Sequence, residues 1–238
     1  MTPLNNKEPS AISIITPGDL PSPPRAVARI IQACSAADVN ANKLARLVAS
    51  NPILTAEILR TVNSAFFGLK RKIRTAVHAV TIMGNRALRN LALCLAVRDA
   101  VRPESIPGLD LLAYWEDALR HAVGCRFLAQ EVGFDADEAF TIGLLQDFGV
   151  LAMFHNHPEQ APHFQALVEV LPEERRAFEH KLFGCTHDSV GLMLAKTWAL
   201  PASLAIPIAC HHSATRESVP SEHQTPCLLA RCADWIAA

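Results

Sequence analysis

An all-α fold is predicted from three observations. Apolar residues repeat at helical spacing along nearly every segment of the 238-residue chain, and no stretch alternates apolar and polar residues long enough to make a strand. Half of the residues are apolar, but only 14 are aromatic (10 Phe, 3 Trp, 1 Tyr), so Ala, Leu, Val and Ile dominate and favour closely packed helices over a β-sandwich. With 19% charged residues the composition is that of a globular chain large enough to bury a core without disulfide or metal staples.

The elements follow in order. Pro23 and Pro24 open a helix with Val27, Ile30 and Ile31 on one face, and a second carries Leu44, Leu47 and Val48. Asn51 caps a third with Pro52 at its first position and Leu54, Ile58 and Val62 spaced four apart. Phe66, Phe67 and Gly68 end that helix, and a basic loop runs to Thr75. Thr75 caps a short helix that stops at Gly84, and Asn85 starts a longer one through Leu88, Leu91, Leu95 and Val101.

The Pro/Gly-containing stretch 102–110 marks a boundary, giving a tail (1–18), an N-terminal helical unit (19–102) and a C-terminal helical unit (103–238). Leu111 to Val132 forms a long helix stopped by Gly133. Asp135 and Glu138 form a capping box for the next, which carries Leu144, Leu145 and Phe148 with Asp147 within the helix. Three or four helices follow His157-Pro158: Thr186 caps one with Val190, Leu194 and Trp198, Pro201 begins another, and Thr225-Pro226 begins the last.

Net charge is −1, yet unevenly spread. Residues 60–98 hold eight Arg or Lys and no acid, whereas residues 103–147 are net −7. The two segments either neutralise each other or present a basic surface for an anion and an acidic surface for a cation. The pI near 6.8 and the lack of aromatic interleaving disfavour nucleic acid. Seven cysteines without a C-x-x-C pair fit buried thiols in a reducing, cytoplasmic compartment. The first ten residues lack a signal-peptide pattern and no apolar run spans a bilayer, so a membrane partner is not expected.

Phosphate-loop, nucleophile-elbow, dinucleotide-binding and H-E-x-x-H signatures are absent. What remains is a set of His and carboxylate residues. Asp117 and His121 share a helix face, and Asp147 sits in an apolar stretch where an ionised carboxylate needs a partner or a metal. His187, His211, His212 and Asp234 lie near other helix ends or in the last helix. A mixed N/O set spread over several helices can hold Mg, Mn or Fe, although each such residue taken alone is more often a cap or a satisfied core group.

The chain resembles the HDOD family, helical relatives of the HD-type metal-dependent phosphohydrolases, from Leu20 to its end. Leu20-Pro21-Ser22-Pro23-Pro24 is similar to the L-P-x-x-P opening, Asn63-Ser64-Ala65-Phe66-Phe67-Gly68 to the N-S-A-[FY]-[FY]-G turn, and residues 79–90 to the stretch that follows. Residues 139–149 resemble the segment carrying the His-Asp dyad. Thr186 to Gly191, Trp198-Ala199-Leu200-Pro201 and His211-His212 match later signatures.

The resemblance implies an N-terminal helical unit packed on a degenerate HD-type unit, in a bacterial signalling or regulatory protein. Its partners would be signalling proteins or a nucleotide second messenger, met through Lys70, Arg71, Lys72 and Arg74. The dyad reads Gln146-Asp147, and an amide oxygen is a weaker ligand than imidazole. One register puts Asp117 at the first His position; a slip of one turn brings His121 there instead. Asp234 stands where the last metal carboxylate belongs. These departures imply a decayed site with no cofactor, or at most Mg, Mn or Fe. The alternative is a metal-dependent phosphohydrolase using Asp117 or His121, Asp147, Asp234 and one of His187, His211 or His212.

Overall fold

The computed structural model describes residues 15–35, 40–64, 69–100, 106, 108–212 and 219–237. Among them all regular structure is helical, and no helix is long and apolar enough to cross a membrane. The expected boundary at 102/103 and the Phe66-Phe67-Gly68 turn lie outside the described residues.

The first helices are α1 (Arg25–Ser35), α2 (Ala41–Ala49), α3 (Pro52–Val62) and α4 (Ala76–Ala100), with α1, α2 and α3 all packed on α4. Their starts follow local chemistry. The Asn40 side chain accepts from the amides of Asn42 and Lys43, and the Asn51 side chain accepts from Leu54 N–H, with Pro52 in the first turn. Helix α4 is broken at Gly84, whose φ of 73° and ψ of 171° suit only glycine, so the expected stop appears as a kink. Asn63 ties the basic loop to α3: its amide donates to the carbonyls of Leu59 and Ile73 (both 2.8 Å) and its oxygen accepts from Ile73 N–H (2.7 Å).

The second set comprises α5 (Leu111–Val132), α6 (Ala136–Leu145), α7 (Phe148–Asn156), α8 (Phe164–Glu169), α9 (Pro172–Phe183), α10 (His187–Thr197), α11 (Ala202–Cys210) and α12 (Ser221–Ala237). Helix α5 packs against α6 and α12, α10 against α7 and α11, and α11 and α12 close on α6. Two details depart from the sequence expectations. Asp147 is not within a helix but at the junction of α6 and α7, with φ −102° and ψ 11°. Helix α12 starts at Ser221 rather than at Thr225-Pro226; Pro226 lacks an N–H and frees one first-turn carbonyl without ending the helix.

The two sets are joined in specific places. Trp198 Nε1–H donates to Pro21 carbonyl (2.8 Å), so the W-x-L-P and L-P-x-x-P segments meet directly. Asn90 donates to Asp137 carbonyl (3.1 Å), and Arg86 pairs with Asp135. The basic and acidic segments therefore touch through Arg86, while Lys70, Arg71, Lys72 and Arg74 stay exposed and, among the described residues, make no ion pair.

Candidate metal centre

Five helices and one helix junction converge on a buried cluster: His121 from α5, Asp147 between α6 and α7, Arg175 and Glu179 from α9, His187 at the start of α10, His211 and His212 at the end of α11, and Asp234 from α12. Close approach depends on two glycines. A Cβ at Gly143 would stand 2.6 Å from His121 carbonyl oxygen, and one at Gly149 would stand 2.1 Å from His187 carbonyl oxygen. Without side chains there, α6 seats on α5 and α7 on α10, bringing Asp147 between His121 and His187. Asp147 makes no capping bond, which leaves both carboxylate oxygens for the cluster.

The imidazoles are oriented from behind. His187 Nδ1 lies 2.7 and 2.8 Å from the two oxygens of Glu179, so Nδ1–H donates and Nε2 faces the centre. His211 Nδ1 likewise donates to Ile208 carbonyl (2.9 Å). His187 Nε2 then stands 3.1 Å from Nε2 of both His211 and His212, and 3.1 Å from Asp147 Oδ1, which is 3.6 Å from His211 Nε2. Lone pairs packed this tightly need a proton or a cation between them. Donors held about 2.1 Å from one ion stand roughly 3.0–3.4 Å apart, so Asp147, His187, His211 and His212 fit a single divalent ion. Their donor atoms fall within 4.8 Å of one another. The carboxylate and carbonyl behind the rings are the supports that metal-bound imidazoles ordinarily have.

Opposite lies a carboxylate-rich half. His121 bridges it, with Nδ1 3.2 Å from Asp147 Oδ2 and Nε2 3.4 Å from Asp234 Oδ1. Of the two registers considered, it is His121, 2% exposed, that reaches both carboxylates. Asp117 lies on the rim and pairs with Arg120 (3.1 Å). Gln146 is fully buried, with neither amide atom hydrogen-bonded. Lys70, Arg71, Lys72 and Arg74 belong to the α3–α4 loop and take no part in this centre.

Charge is unevenly settled here. Burial works to raise the Asp147 carboxyl, but His121, His187 and His211 outweigh it and hold it well below the usual range. Burial, then the Asp147 charge, pushes Asp234 up. For His187 burial opposes protonation, yet Glu179 and Asp147 carry it to about 10. His212, buried beside His211 and His187, is pushed down to about 2.

Arg175 and Glu179 were not among the sequence candidates. They occupy a helix of twelve residues, Pro172–Phe183, whose charged composition looks solvent-facing. The available signal was spacing: Arg175, Glu179 and Phe183 lie four apart, and all three are buried.

A solved structure from Shewanella amazonensis SB2B, of a protein inferred to be a phosphohydrolase, is 26% identical, with a TM-score of 0.74 over 93% of this chain and 78% of that one. An HDOD domain protein of unknown function from Geobacter sulfurreducens is also 26% identical, with a TM-score of 0.69 over 91% and 72%. An uncharacterized protein of Treponema pallidum (strain Nichols) is 25% identical over 200 residues; the match covers 82% of this chain but only 38% of that longer protein. The HDOD domain profile matches residues 20–214, and the chain belongs to the HDOD domain family.

Proposed function

We propose that this chain is a regulatory binding domain, docking signalling proteins or an anionic nucleotide ligand, and that its buried centre holds helices together rather than turning over a substrate. The narrowness of the cavity on the carboxylate side of the centre carries this reading. The cavity beside Asp147, lined by Tyr114, Asp117, Phe164, Leu167 and Arg175 among others, has a volume of about 20 Å³. That is room for about one water, whereas small-molecule sites typically open to roughly 300 Å³ or more. The exposed basic loop, fixed at Ile73 by Asn63, is the surface offered to an anion.

A phosphohydrolase is the second reading. The donor spacing of Asp147, His187, His211 and His212 favours it, together with the likeness to the Shewanella protein. The two separate in one experiment: Mn²⁺-loaded protein is incubated with bis(p-nitrophenyl) phosphate and with cyclic dinucleotides, beside Asp147→Ala. Release equal to that of Asp147→Ala supports the binding domain. Turnover that the variant loses establishes the hydrolase.

A further inference from the structure

We propose that Arg175 is the built-in cation of the carboxylate half of the centre, so that the chain takes one divalent ion, in the imidazole half, and excludes a second. Asp147 is shared by two donor sets. Its Oδ1 faces His187 and His211, while Oδ2 faces His121 Nδ1 at 3.2 Å. Asp117, His121 and Asp147 bring donor atoms within 4.8 Å of one another, and Asp234 Oδ1 lies 3.4 Å from His121 Nε2. By donor count this second set would accept a cation of its own.

It already has one. The Arg175 side chain is 9% exposed, and its Nη1 lies 3.6 Å from Asp147 Oδ2 and 3.8 Å from Asp234 Oδ1. These are the oxygens a second ion would bridge. A guanidinium stays charged at every relevant pH and does not yield its place by losing a proton. In a buried site, a divalent ion on the same oxygens would meet that charge with little screening. Gln146, beside Asp147, contributes no charge toward a second ion. Among the described residues, no Arg or Lys pairs with the histidines of the imidazole half; Arg175 meets Asp147 at Oδ2, whereas His187 and His211 face Oδ1. A one-ion centre lacks the two-ion clamp that stabilises both attacking and leaving oxygens in phosphoryl displacement. The inference concerns ion count and stands under either reading of function.

The test is a count. Protein stripped with chelator is dialysed to equilibrium against Mn²⁺, and bound ions per chain are measured by elemental mass spectrometry and electron paramagnetic resonance. Wild type and Arg175→Lys retain one Mn²⁺. Arg175→Met, of similar length without charge, takes two, and their sharing of Asp147 gives an exchange-coupled spectrum. One ion in natively folded Arg175→Met overturns the proposal, as do zero or two in the wild type. Asp234 Oδ2 also lies 3.7 Å from His212 Nδ1, and Asp234→Asn removes the charge while leaving an amide of the same shape to face that ring, so it keeps one ion. Loss of that ion would place it between Asp147 and Asp234 and overturn the proposal even if Arg175→Met fails to fold.

Discussion

The helices before residue 101 and those after residue 105 solve the same packing problem with different materials. The first set buries Val27, Ile30, Ile31, Leu44, Val48, Ile58, Val62 and Leu88, and among its described residues Asn90 is the one buried polar side chain. The second set buries His121, Gln146, Asp147, Arg175, Glu179, His187, Asp188, His211 and Asp234 as well as its apolar core. Apolar burial involves no protonation and no specific ion, whereas buried charges are stable only while their partners remain in place and in the right protonation state. Half of the molecule is therefore built to hold its shape, and half has a stability that depends on solution conditions.

Removing Asp147 breaks this contrast most sharply. Asp147→Ala leaves His121, His187 and Arg175 facing each other without the carboxylate they share, and truncating one partner of a buried ion pair costs about 3–5 kcal/mol. Leu44→Ala, in the apolar set, costs a similar 2–5 kcal/mol through its cavity. Urea unfolding across pH separates the two: the Leu44 variant runs parallel to the wild type, and the Asp147 variant does not. Parallel curves for both would show that the centre contributes only packing. Gly149→Ala comes next, because its methyl cannot coexist with His187 carbonyl oxygen and α7 must shift from α10. A loss of about 1–3 kcal/mol is expected from such overpacking, with weakened Mn²⁺ retention. Unchanged retention would mean that α7 and α10 can part without disturbing the donors.

The pH profile itself is the third test. In metal-free protein His187, raised to about 10, binds its proton more tightly folded than unfolded. Its contribution is complete below pH 6.5 and is lost as pH climbs toward 10. His212, pushed down to about 2, acts in the opposite sense: its contribution is present above pH 6.5 and is lost as pH falls toward 2. Stability from this pair thus peaks near pH 6.5. Burial opposes the His187 shift and Glu179 is the leading group that sustains it, so Glu179→Gln flattens the alkaline limb of urea midpoints measured in chelator. A wild-type slope in that variant would assign the limb to another group.

Particular residues show what could be read in the sequence and what could not. Asn51-Pro52, Asp135 and Gly133 act where local chemistry puts them, because a cap needs only its own turn. Pro226 misled because a helix can absorb one missing N–H when the residues around it pack well. The choice between Asp117 and His121 needed the tilt of α5 against α6, which Gly143 sets across the chain. Arg175 and Glu179 were hidden for the opposite reason: they look like surface charge until the fold supplies His187, Asp147 and Asp234 to face them. Buried ionic partners are defined by distant chain segments, and local patterns do not record them.

The smallest effect on stability is expected at the α3–α4 loop, where it sharpens the contrast from the other side. Lys70, Arg71, Lys72 and Arg74 are exposed and free of ion pairs among the described residues, so replacing all four by Ala changes unfolding by no more than about 0.5 kcal/mol per site. Binding should respond instead. If this loop receives a nucleotide phosphate, affinity for a cyclic dinucleotide, measured by calorimetry, falls in the fourfold variant. In the wild type it also declines steeply between low and physiological salt, as phosphate contacts require. Asn63→Ala keeps all four charges but frees Ile73 from both of its hydrogen bonds to the Asn63 side chain. Weaker binding in that variant would show that the rigid first half positions the loop, and wild-type binding would reduce the loop to its net charge. An affinity indifferent to salt and to all four replacements would move the anion site away from this loop and leave the first half as scaffold alone.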